Sequence, residues 1–106
     1  MVPASTHRPD LDEDGFLNDP HHWDSMIALE LARLRGLDRL DIQQWAIIFA
    51  LRQYYFNHKE YPSQHRICHI KNMRSRCVDK VFQNHGIEAW RIAGLPNPGE
   101  EVKAYL

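Results

Sequence analysis

Cys68 and Cys77 are the residues of this 106-residue chain best suited to chemistry, because a thiolate is among the strongest nucleophiles a side chain offers near neutral pH. They stand nine positions apart, so they form no Cys-x-x-Cys pair. His65, Arg66, His69 and Lys71 flank Cys68 in sequence and would favour its ionised form if the sulfur reaches solvent. Cys77 opens the apolar run Cys77, Val78, Val81, Phe82 and reads as filling. A reducing compartment is expected to keep both as thiols. The plain reading is two buried small hydrophobes; the sharper one is a sulfur-carrying role for Cys68.

His65, Cys68 and His69 also have the helical spacing of metal ligands. A closed zinc site recruits four, and Cys77, His85, His21 and His22 are all remote in sequence, so no metal or cofactor is assigned. Paired carboxylates, a Gly-rich phosphate loop and a Ser-His-Asp order do not stand out, and no catalytic residue is assigned. Glu100 and Glu101 read as a solubilising or partner-reading element.

Charge is distributed unevenly. Residues 1 to 40 carry eight acids against four bases, whereas residues 59 to 80 carry Lys59, Arg66, Lys71, Arg74, Arg76 and Lys80 against Glu60 and Asp79. Arg66, Lys71, Arg74, Arg76 and Lys80 are therefore candidates for nucleic-acid contact, although an acidic protein partner fits the same surface.

The elements that would position these groups are mostly helical. Residues 1–10 read as a loose tail, residues 11–93 as one helical domain and residues 94–106 as an arm. Asp12-Glu13-Asp14-Gly15 marks a tight turn between apolar residues, so a small N-terminal β-hairpin is expected. Asp19-Pro20 or Asp24 starts a helix bearing Ile27, Leu31 and Leu34, which Gly36 ends. Asp41 with Gln44 makes a capping box for a central helix whose inward face is expected to be Trp45, Ile48, Phe49, Arg52, Tyr55 and Phe56. Ser63 caps a third helix facing Ile67, Ile70 and Met73 inward, Arg74-Ser75-Arg76 makes a turn, and a fourth closes at Gly86. Glu88 to Ala93 makes one or two further turns. Leu95-Pro96-Asn97-Pro98-Gly99 cannot continue as helix, so the chain is expected to leave as an extended arm. Trp23, Trp45, Tyr54, Tyr55 and Phe56 read as core. No apolar run is long enough to span a membrane and no signal peptide is evident, so a cytoplasmic location is expected.

The chain resembles the DsrC/TusE/DsvC sulfur-relay proteins. The likeness runs from Gly15-Phe16-Leu17 and Trp23, through Trp45, Leu51-Arg52-Gln53-Tyr54-Tyr55 and Pro62, to Phe82, Gly86 and Ile92-Ala93-Gly94-Leu95-Pro96-Asn97-Pro98. That resemblance implies a mainly α fold: an orthogonal helical bundle with a small N-terminal hairpin, a helix-turn-helix-like section and an extended C-terminal arm. It further implies a penultimate cysteine on the arm, which in the TusE-like branch accepts persulfide sulfur during tRNA wobble-uridine thiolation. In the DsrC branch a second cysteine, just before the Ile-Ala-Gly-Leu-Pro string, acts with it and serves dissimilatory sulfite reductase.

Here the sequence departs from the family. Trp90 occupies the upstream cysteine position, Glu101 lies near the terminal one, and the penultimate residue is Tyr105. Neither an indole, a carboxylate nor a phenol can exchange sulfane sulfur. The expectation is a sulfur-metabolism protein without the carrier thiol, acting by contact with sulfur-relay proteins as a regulatory or accessory factor. Gly94, Leu95, Pro96, Pro98, Tyr105 and Leu106 would form its contact arm, with Trp90 as a further apolar anchor. A nucleic-acid-binding regulator using the basic segment and a carrier using Cys68 are the rivals; the oligomeric state is left open.

Overall fold

The computed structural model describes residues 9–83 and 86–99. Five helices follow in order: α1 Ser25–Leu34, α2 Ile42–His58, α3 Gln64–Ile70, α4 Cys77–Val81 and α5 Gly86–Ile92. The central helix α2 packs against α5, α3 and α4, and α1 lies against α5.

Each early helix starts where a side chain satisfies its first amides. Asp24 accepts from the Ile27 N–H at 2.8 Å and so begins α1. Asp19 instead holds a separate turn, accepting from the His21 N–H at 2.9 Å. Asp41 and Gln44 form the reciprocal capping box of α2, each bond 2.8 Å long, and Ser63 caps α3.

The fold is a helical bundle with no strand among the described residues, which corrects the expected α-plus-hairpin architecture. Leu11 and Leu17 share one isolated antiparallel bridge. The ladder stops there because the Asp12 carboxylate takes the Asp14 and Phe16 amides, both at 2.9 Å, and folds the intervening residues into a side-chain-held turn. Pro9 and Pro20 on the two flanks have no N–H to extend a pairing.

Three helix faces also differ from expectation. The side of α2 that reaches the core carries Gln44, Ile47, Ile48 and Leu51, while Phe49 is 51% exposed. Between Asp41 and Arg52 the helix bears no charge, so its apolar pattern could not select one face. Leu34 and Ile70 are likewise exposed. Gly86 opens α5 rather than closing α4: it is buried, and a Cβ there would lie 2.7 Å from Asp79 Oδ1. The residue is small because α4 and α5 approach closely at that point.

Candidate functional site

Residues 92–99 lie along the body of the bundle and are gripped by groups from four other segments. Trp23 donates its indole N–H to the Ile92 carbonyl at 3.0 Å. Arg52, on α2, donates to the carbonyls of Ala93 at 2.9 Å and Pro20 at 3.0 Å, with its guanidinium 4.1 Å above the Trp23 ring. Tyr61 donates its hydroxyl to the Pro96 carbonyl at 2.8 Å. Asn97 donates to Asp14 at 2.8 Å and Asp12 at 3.1 Å, which ties the segment to the N-terminal turn.

Burial shapes the chemistry of these holders. It lowers the Arg52 pKa to about 10, so the side chain is still a cation at neutral pH and serves as a fixed donor. The same effect pushes the Tyr61 hydroxyl well above the ordinary phenol range and keeps it a donor. Burial also acts to raise Asp12, but hydrogen bonds from the Phe16 amide, Asn97 and the Asp14 amide outweigh it and hold the carboxylate below its usual range. All three groups are thereby set in the protonation state their bonds to the segment require.

Leu95, expected on the contact arm, is fully buried, and Gly94 is buried beside it. Pro96 and Pro98 are half-buried. Trp90 lies in the core, its ring 5.8 Å from that of Tyr61. Glu101, Tyr105 and Leu106 fall outside the described residues.

The two cysteines are joined. Cys68 on α3 and Cys77 on α4 form a disulfide, where separate thiols were expected. The Cys77 amide donates to Cys68 Sγ at 3.0 Å, and the sulfurs are 2% and 3% exposed as residues. A second link between the helices is Gln64, which donates to Asp79 Oδ2 at 2.9 Å and accepts from its amide at 3.2 Å. With Cys68 bridged, His65 and His69 have no thiolate to share a metal with, and no cluster of three ligating side chains is gathered among the described residues.

Arg66, Lys71, Arg74, Arg76 and Lys80 are all exposed on α3, α4 and the turn between them. Arg76 is paired with Asp79 at 2.7 Å, which leaves it partly neutralised. No helix of the described residues is long and apolar enough to cross a membrane.

Sequence reasoning missed Arg52 as the clamp and Asp12, Asp14 and Asn97 as the latch. A lone arginine in the aromatic half of an otherwise uncharged helix was the available signal for the first.

Sulfurtransferase TusE of Salmonella choleraesuis (strain SC-B67) is 25% identical over 97 residues, covering 82% of this chain and 86% of that protein. Its Buchnera aphidicola subsp. Acyrthosiphon pisum counterpart is 28% identical, covering 82% of each. The oxidized gamma-subunit of dissimilatory sulfite reductase (DsrC) from Archaeoglobus fulgidus superposes with a TM-score of 0.72 at 31% identity, covering 87% of this chain and 90% of that one. Dissimilatory sulfite reductase I (DsrI) shares the fold, with a TM-score of 0.75 at 24% identity over 86% and 88% of the two chains. The family model described as DsrC like protein matches residues 4–102, through the gripped segment and both cysteines, and this chain belongs to that family.

Proposed function

We propose that this chain serves sulfur metabolism by protein contact, as a regulatory or accessory factor that carries no sulfur at the family's transfer position near Glu101. One observation carries the reading: the residues from Leu95 to Leu106, which follow the gripped Ile92-Ala93-Gly94 turn, contain no cysteine. A persulfide carrier needs a thiolate at the transfer position, and Glu101 cannot replace it.

The surface supports contact as the mode of action. Ile42 is 86% exposed and Phe49 and Ile70 are about half exposed, on a face of α2 and α3. Phe49, Tyr54, His58, Ile70 and Lys71 line a notch of about 280 Å³ there. Uncovered apolar side chains in such an arrangement suit a protein partner. The relative from Archaeoglobus fulgidus is described as a subunit of dissimilatory sulfite reductase, and a sulfur-metabolism enzyme is the partner class proposed here.

Affinity capture from the native host tests this, comparing the full chain, a chain ending at residue 98 and a Phe49→Glu variant. Recovery of one sulfur-metabolism protein by the full chain, lost with either change, is expected. Recovery of none by the folded full chain would discard the reading.

A second reading has its own observation, the exposure of Arg66, Lys71, Arg74 and Lys80 around two linked short helices. Nucleic-acid binding by this surface would weaken steeply with salt, and Arg74→Ala with Lys80→Ala would flatten that slope by roughly one to two units. Salt-independent retention of duplex DNA and RNA at the level of an unrelated acidic protein would dismiss it.

A further inference from the structure

The two faces of the Cys68–Cys77 bridge are unlike. Cys77 borders a surface cavity of about 420 Å³ that is also lined by Arg74 and Lys80. Neither cation has an ion-pair partner among the described residues, whereas Arg76 is occupied by Asp79. Cys68 borders a separate, smaller recess of about 110 Å³ with His65 and His69. The Cys77 amide points its N–H at Cys68 Sγ and not at its own sulfur.

This asymmetry bears on thiol–disulfide exchange, in which a nucleophile attacks one sulfur and the other departs as a thiolate. An N–H already directed at Cys68 Sγ stabilises negative charge that develops there. Arg74 and Lys80 draw an anion to the opposite sulfur. With Cys77 only 3% exposed, a nucleophile carried on a folded protein cannot reach it without local opening, and a small anion is the occupant that fits.

We propose that the bridge is a reactive site for small anionic sulfur nucleophiles, with Cys77 as the sulfur attacked and Cys68 as the leaving group. With hydrosulfide the step balances without an oxidant. The S–S bond between Cys77 and Cys68 breaks and a bond forms from the hydrosulfide sulfur to Cys77 Sγ. The electron pair of the broken bond goes to Cys68 Sγ, giving a Cys77 persulfide and a Cys68 thiolate. In the reverse direction Cys68 attacks Cys77 Sγ and expels hydrosulfide. Added sulfur thus resides on Cys77 rather than on Cys68, independently of any protein contact.

Arg74 and Arg76 lie between the cysteines, so tryptic digestion separates the two after the bridge has opened. The folded, non-reduced protein is treated with sodium hydrosulfide, alkylated and mapped by peptide mass spectrometry. One added sulfur on the Cys77 peptide with simple alkylation of Cys68 is expected. Added sulfur chiefly on Cys68, no added sulfur on either, or free thiols in the untreated protein would each overturn the proposal. Arg74→Gln with Lys80→Gln should slow loading about tenfold, while reduction of the bridge by a neutral phosphine keeps its rate. An unchanged hydrosulfide rate, or an equal slowing of both reactions, would overturn the assignment of the cations.

Discussion

Gly94 and Trp23 touch so closely that a Cβ on Gly94 would lie 2.1 Å from Trp23 Cδ1. The glycine is also left-handed, at φ +72°, so both sterics and backbone exclude a side chain. Gly94→Ala is therefore expected to destabilise by about 2–4 kcal/mol, from backbone strain and overpacking together. Chemical denaturation measures it; a loss below about 1 kcal/mol would mean that the indole moves aside freely.

Arg52 holds two carbonyls while stacked on Trp23, a geometry that needs a planar fork. Arg52→Lys should cost about 1–3 kcal/mol, because one ammonium cannot reproduce both bonds and the stack. Since the folded value of about 10 lies below the ordinary 12.5, the cation is charged in both states at neutral pH. The loss is thus expected to be flat between about pH 5 and 7, where the substituted ammonium is charged as well, and a slope across that range would implicate another group.

Asp12 gives the opposite kind of pH response. Its folded pKa is lowered from 3.8, so in acid the unfolded chain binds its proton first. The contribution is complete above that unfolded value and disappears as pH falls through the folded one. Asp12→Asn should accordingly lower the melting temperature at neutral pH, and the gap from the parent protein should narrow as pH falls below the unfolded value of 3.8. A gap of constant size down to pH 2 would contradict the bonding described.

The Cys68–Cys77 bridge closes a short loop, and Cys77→Ser is expected to cost about 2–3 kcal/mol. A reductant should lower the parent's unfolding midpoint toward that of the variant and leave the variant unmoved. Equal midpoints with and without reductant would show that the bridge does not form in solution.

The starts of α2 and α3 were the most legible part of this fold, because each depends on residues within three positions of one another. Asp41 with Gln44, and Ser63, behave as their local chemistry requires. The inward face of α2 was not readable, since Ile42 to Leu51 is apolar or neutral on every side and only packing chooses. Nor was the bridge. Its cysteines meet because Asn72 and Arg76 turn left-handed at φ 56° and 59°, and neither residue is a glycine that would have signalled it. The Gly-Leu-Pro string could be recognised as a pattern, but its reason, the ring of Trp23, lies about 70 residues earlier.

Trp23, Arg52, Tyr61, Asp12 and Asp14 all precede the stretch they hold, by between 35 and 85 positions. During synthesis, each of these holders of residues 92–97 is therefore made before those residues leave the ribosome. The stretch acts as a keystone laid after the groups that hold it, and a nascent chain stalled short of Ile92 would display an empty seat of indole, guanidinium and phenol to whatever chaperone or partner reaches it first.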